Sequence, residues 1–142
     1  MKILVAVDGS PHSLKTVAGL ADRVGWFSAL PAITLLHAHL PIPYKAAAAW
    51  AGHDTVTRYY SEESDAALAG AVELLGKRGI PFTVERCVGD PAEEIARHAA
   101  AGGYDLIAMG THGHTALATL VMGSVATKVL ARSKVPVLFM KS

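Results

Sequence analysis

The residues with the clearest chemical capacity lie late in the chain. Gly110-Thr111-His112-Gly113-His114-Thr115 is followed, after Ala116 to Met122, by Gly123-Ser124-Val125. Two residues separate Gly110 from Gly113, and nine separate Gly113 from Gly123. Glycine lets the backbone approach an anion closely and turn successive N–H groups toward one point. Ser124 and Val125 fall at or just inside a helix start, where unpaired amides and the helix dipole favour phosphate. The chemistry indicated is polyanion binding by the main chain. Composition alone leaves the opposing reading, of ordinary turn and cap glycines, equally open.

Asp8 is a second candidate, placed at the end of an apolar run beside Gly9 and Ser10. A carboxylate there serves as a turn former or a ligand clamp. No second carboxylate or nucleophile stands beside it to make it a general base. His37, His39, His112 and His114 offer imidazoles for Zn²⁺ or Ni²⁺. No cysteine or acidic residue has ligand spacing to them, and the first strand separates the two pairs, so solvated or ligand-contacting histidines are expected and no dedicated metal site. Cys87 reads as a structural thiol without an activating partner.

Familiar nucleotide signatures are missing. Gly76-Lys77 lacks the upstream glycine and following hydroxyl of a P-loop, and no G-x-G-x-x-G follows the first strand. A phosphoacceptor receiver domain needs an aspartate at the end of its third strand, where this chain has Cys87-Val88-Gly89.

The elements that must position these groups follow from periodicity. Ile3 to Val7 is continuously apolar, as expected for a strand covered on both faces. Ser10 and Pro11 then read as N-cap and first residue of a helix carrying Leu14, Val17, Ala18, Ala21 and Val24 inward and stopping at Gly25. Ile33–Ala38 is the second strand. Pro41 and Pro43 open an irregular stretch containing Ala46 to Trp50, read as a loop. A long helix is predicted from about Asp54 to Gly76, with Ala67, Leu68, Ala71, Leu74 and Leu75 inward.

Phe82–Val88 mixes apolar and charged residues beside Pro81, which suits an edge strand. Asp90 and Pro91 start another helix, with Glu93 and Glu94 near its positive end. Tyr104–Met109 is the fourth strand, a helix near 120–132 follows, and Val135–Met140 closes the chain. This alternation specifies an α/β fold: a doubly wound five-stranded parallel sheet of order 3-2-1-4-5 with helices on both faces. Its switch point brings Asp8 and the segment after Met109 together.

The 142 residues suit a single domain spanning 1–142. Thirteen basic and 12 acidic residues leave a net charge of +1, without the broad basic footprint of a nucleic-acid binder. At 51% hydrophobic and 18% charged the chain is globular. One cysteine cannot form an intramolecular disulfide, and no apolar run has signal-peptide or membrane-spanning length. A cytoplasmic protein is expected, with no nucleic-acid or membrane partner.

The Gly-x2-Gly-x9-Gly-Ser spacing resembles the nucleotide motif of the universal stress protein family, in its ATP-binding branch. The likeness extends through Val5 to Ser10, Leu35 to Ala38, Met109 to Gly113, Gly123 to Val125, Lys128 to Leu130 and Val135 to Leu138. The resemblance implies that Asp8 holds the adenosine part of ATP and that the backbone at Ala38, where the family usually has Val, meets the adenine edge. Ala6 and Met109, on the two strands that flank the site, are counted among the nucleotide-binding residues the resemblance implies. Gly110 and Gly113 would shape the loop around ribose and phosphates, and His114 stands where many members carry Arg or Lys. Gly123, Ser124, Val125 and Ala126 would donate to phosphates accompanied by Mg²⁺ or Mn²⁺.

The final strand, Val135 to Met140, is apolar at a sheet edge with only Pro136 to blunt it, which favours a homodimer through that edge; the resemblance implies the same. The functional expectation is a dimeric, ATP-dependent stress-response switch. The alternatives are a slow ATPase or self-phosphorylating protein using the same site, and a dimerisation module with an empty site.

Overall fold

The computed structural model describes residues 1–43, 52–112 and 122–141. They form β1 (Lys2–Ala6), α1 (Pro11–Ala21), a 3₁₀ turn (Val24–Trp26), β2 (Ala32–His39), α2 (Gly52–Lys77), β3 (Phe82–Val88), α3 (Pro91–Ala101), β4 (Leu106–Gly110), α4 (Ser124–Arg132) and β5 (Val137–Met140). Every pairing is parallel, and the order β3-β2-β1-β4-β5 is the one expected.

Alternation along the strands divides the core. Ile3, Val5 and Val7 pack with Val17 and Leu20 of α1 and Leu68, Ala71 and Leu75 of α2. Leu4 faces the other way, with Ile95 and Ala99 of α3, Ile107 of β4, and Ala126 and Val129 of α4. Ile3, Leu4 and Val5 are wholly buried. Burying side chains of this size stabilises the fold by about 1.5–3 kcal/mol each, which fixes β1 at the centre.

Two helices start as the sequence predicts. Ser10 Oγ accepts the Ser13 N–H at 3.1 Å, with Pro11 next; Asp90 Oδ2 accepts the Glu93 N–H at 3.1 Å, with Pro91 next.

Several boundaries and one inward face differ from expectation. Helix α1 ends at Ala21, four residues before Gly25, and Val24 reaches the core from the 3₁₀ turn. Leu14 is 39% exposed, lying over Gly70 of α2, whereas Ser13 and Thr16 are buried. Their hydroxyls are satisfied locally, by the Ser10 and His12 carbonyls at 3.1 Å each. On α2, Ser64, Leu68, Ala71 and Leu75 are buried and Ala67 and Leu74 only half-buried. β4 begins at Leu106. β5 begins at Val137, because Pro136 has no N–H for a ladder and the Ser133 hydroxyl engages Val135 at both its N–H and its carbonyl.

Candidate functional site

Past the carboxyl ends of β1 and β4 lies a cavity of about 270 Å³. Ala6, Asp8, Ala38, Met109, Gly110, Gly123, Ser124, Val125 and Ala126, gathered from four elements and their ends, all line it. Gly113 and His114 fall outside the described residues, as do Trp50 and its alanine tract. The volume stands just below the range of small-molecule clefts, roughly 300–1,000 Å³.

The backbone at Ala38 has a derivable direction. In a parallel ladder a residue's N–H and C=O point to the same side, and the side alternates along the strand. The Leu36 carbonyl accepts from Val7 N–H at 2.9 Å, toward β1, and the His39 carbonyl accepts from Gly89 N–H at 2.8 Å, toward β3. Ala38 therefore turns both groups to the β1 side. The β1 register ends at Ala6 opposite Leu36, so they face the space past Val7, beside Asp8.

Asp8 is held at that edge by its own turn. Its Oδ1 accepts the Ser10 N–H at 2.8 Å, and Gly9 follows at φ +81° with its α-carbon side against Ala67 of α2. A Cβ on Gly9 would stand 2.9 Å from the Ala67 Cα, so the turn demands glycine for conformation and for space.

Opposite, Gly123 begins α4 without any side-chain cap. Its N–H donates to the Thr111 carbonyl at 2.6 Å, which ties the helix start to the segment leaving β4. Its carbonyl receives the Thr127 N–H and hydroxyl, each at 3.0 Å. The next amides, of Ser124, Val125 and Ala126, occupy first-turn positions that lack intrahelical acceptors. At Gly110 a Cβ would stand 3.0 Å from Thr16 Oγ1 and 3.3 Å from the His112 carbonyl, so the chain exits β4 pressed against α1.

Leu40, Pro91 and Ile95, which no sequence motif marks, wall the cavity on the β2 and α3 side. Pro91 and Ile95 are one helical turn apart, the only trace of a shared face in the sequence. His112 also lines the cavity. Its Nδ1 lies 3.0 Å from Thr111 Oγ1, its ring centroid 5.9 Å from that of His12, and its buried Nε2 has no hydrogen-bond partner among the described residues.

His37 and His39 on β2 are separated from His112 by β1, as expected, and His114 lies outside the described residues. His37 is not solvated, however: it is 7% exposed and its Nδ1 hydrogen-bonds Ser64 Oγ at 2.9 Å. His39 stacks edge-on against Tyr60, at 5.1 Å between centroids. No helix among the described residues is long and apolar enough to cross a membrane.

Fold and crevice together define a doubly wound α/β domain with a cavity between the ends of its central strands and a helix start that has no side-chain cap. The universal stress protein family model matches residues 1–141, and the chain belongs to that family. Universal stress protein MJ0531 of Methanocaldococcus jannaschii is 30% identical over 141 residues, covering 99% of this chain and 81% of that protein. The structure of MJ0577 from the same organism matches with a TM-score of 0.78 at 28% identity, over 99% of this chain and 95% of that one. The universal stress protein of Archaeoglobus fulgidus in complex with dAMP shares the fold, with a TM-score of 0.68 at 22% identity over 98% and 96% of the two chains.

Proposed function

We propose that this chain binds an adenine nucleotide, ATP carrying Mg²⁺ or Mn²⁺, in the crevice past β1 and β4, and acts as a homodimeric, nucleotide-dependent switch in a stress response. The observation that carries the reading is the opposition of two unlike walls. On one side are the Ala38 backbone groups and Asp8; on the other is the α4 start, with three first-turn amides and no side chain among the described residues to satisfy them. A purine with a phosphate chain matches both. Its base presents donors and acceptors to Ala38, its ribose hydroxyls donate to the Asp8 carboxylate, and its phosphates accept from Ser124, Val125 and Ala126. Leu36, Leu40, Ile95 and Met109 give the base an apolar enclosure. The dAMP held by the Archaeoglobus protein on the same fold supports the nucleotide class.

Asp8 is the one carboxylate among the described cavity-lining residues, and its Oδ1 is already engaged by Ser10. That donor set fits a cation carried on phosphate oxygens, as Mg²⁺ commonly is, rather than one caged by side chains. The cation would supply charge neutralisation, while the chain's own residues bind and orient the base and ribose.

Mass spectrometry of material co-purifying with the protein, followed by equilibrium dialysis with adenine nucleotides and Mg²⁺, tests the reading. Stoichiometric nucleotide retained without phosphate release supports the switch. Phosphate release that Gly113→Val abolishes points to a slow ATPase or self-phosphorylating protein instead, and no bound nucleotide points to a dimerisation module. For the dimer, β5 is an edge strand without a charge and with Leu138 37% exposed. Leu138→Lys should convert a dimer to a monomer in light scattering; a wild-type monomer would refute the assembly.

A further inference from the structure

A second set of chemically capable groups lies between β3 and α3, outside the cavity lining. Cys87 and Glu85, two apart on β3, share its α3-facing side. Glu94 and His98, one turn apart on α3, share the helix face opposite them. One ligand atom from each of Cys87, Glu94 and His98 lies within 4.8 Å of the others. Glu85 Oε2 stands 3.9 Å from His98 Nε2. Sulfur, imidazole nitrogen and carboxylate oxygen thus converge from two elements whose packing already holds them together.

Three further features make this more than a surface coincidence. His98 Nδ1 lies 2.9 Å from the Glu94 carbonyl, which can only accept, and 3.7 Å from Glu94 Oε2. Nδ1 therefore carries the proton in the neutral ring, and the lone pair belongs to Nε2, on the side of Glu85, so a cation held by Nε2 requires Glu94 to swing toward that nitrogen. Gly89 leaves room for the acid: a Cβ there would stand 2.8 Å from Glu94 Cγ and 2.9 Å from its Oε1. The recess is sheltered but reachable, with the His98 and Glu94 side chains 20% and 18% exposed.

Burial pushes the Cys87 thiol up to about 11, and the neighbouring Glu94 carboxylate adds to the shift. Arg97 hydrogen-bonds Glu94 Oε2 and holds that carboxyl below its ordinary value. The thiol is thus a poor nucleophile, and a cation there must displace its proton.

We propose that Cys87, Glu94 and His98, closed by Glu85, bind one borderline-soft divalent cation of the Zn²⁺ class. Mixed sulfur, nitrogen and oxygen ligands select that class, whereas Mg²⁺ prefers oxygen alone. Tetrahedral bonds of about 2.0–2.3 Å require ligand atoms roughly 3.5 Å apart, so the side chains close by about 1 Å. Binding releases the thiol proton to solvent and leaves Nδ1 bonded to the Glu94 carbonyl. The site staples β3 to α3. It abuts the crevice, since Cys87 is the register partner of Ala38, yet shares none of its lining residues. It stands or falls independently of nucleotide binding.

Tag-free protein, reduced with a thiol-free reductant, is titrated with Co²⁺ as an optical probe and then with Zn²⁺. One equivalent of Co²⁺ should produce a thiolate charge-transfer band and tetrahedral visible bands, and one equivalent of Zn²⁺ should erase them. Cys87→Ser should lose the charge-transfer band, and His98→Ala should weaken Co²⁺ binding at least tenfold. Zn²⁺, but not Mg²⁺, should raise the melting temperature of the wild type, and His98→Ala should lose that rise. Circular dichroism confirms that each variant is folded; should His98→Ala not fold, His98→Gln serves. Absence of the charge-transfer band, its survival in Cys87→Ser, or undiminished binding in the His98 variant would overturn the site.

Discussion

The starts of α3 and α4 present the same backbone problem solved in opposite ways. At α3, Asp90 places a carboxylate oxygen on the Glu93 N–H, Pro91 removes a second donor, and Glu93 and Glu94 complement the dipole. At α4, Gly123 has no side chain, and no acid occupies the first turn. Both helices cover the same sheet face with similarly buried residues, Ile95 and Ala99 in one and Ala126 and Val129 in the other. Packing therefore does not explain the difference. On the proposed reading, the α3 start, which serves only the fold, is closed by the chain, and the α4 start is left for a ligand to close.

The strongest way to break that contrast is to give α4 the cap that α3 has. Gly123→Asp supplies an acceptor for the first-turn amides and a negative charge where phosphate would lie. Charge-assisted hydrogen bonds are worth about 1.5–3 kcal/mol, so losing one or two of them should weaken adenine-nucleotide binding about 100-fold in calorimetry. The melting temperature should hold or rise. A smaller loss, about tenfold, is expected for Gly110→Val, whose side chain would displace the strand end facing that helix start from Thr16 and the His112 carbonyl.

The converse change strips the cap from α3. Asp90→Ala should cost about 1 kcal/mol in urea unfolding and leave nucleotide affinity unchanged. If it costs affinity and no stability, the two helix starts do not divide their labour as described. The smallest effect concerns the thiol behind α3. The folded chain holds the Cys87 proton more tightly than the unfolded chain does, with the value raised from 9.0 to about 11. No stability is lost on this account below 9.0, and stability falls as pH climbs from there to about 11. Urea midpoints of metal-free protein should decline more steeply over that range in the wild type than in Cys87→Ala.

The sheet order was legible because continuous apolar strands alternating with helical periods admit few topologies, and because β3 and β5 carry edge features. Ser10-Pro11 and Asp90-Pro91 announced two helix starts through residue chemistry alone. Topology and glycine spacing likewise brought Asp8 and Ser124 to one crevice. What hydropathy could not show was where local hydrogen bonds change the cost of burial. Ser13 and Thr16 enter the interior because nearby carbonyls satisfy them, and Leu14 is left over Gly70. His37 is buried through a tertiary partner instead, the Ser64 hydroxyl 27 residues away. Pro91 and Ile95 escaped notice as cavity walls because their role depends on β2 outrunning β1, a matter of relative strand length. Glu94 escaped notice as a neighbour of Cys87 because Gly89, between them in sequence, looked like a turn residue rather than the space that admits a carboxylate.

On the proposed reading, the first-turn amides of α4 await phosphate. Amide-resolved NMR during titration with an adenine nucleotide and Mg²⁺ tests it most directly. Saturable shifts of the Ser124, Val125 and Ala126 N–H resonances are expected, together with Ala38, while the capped Glu93 amide stays in place. Saturation of binding with those α4 amides unmoved would contradict it.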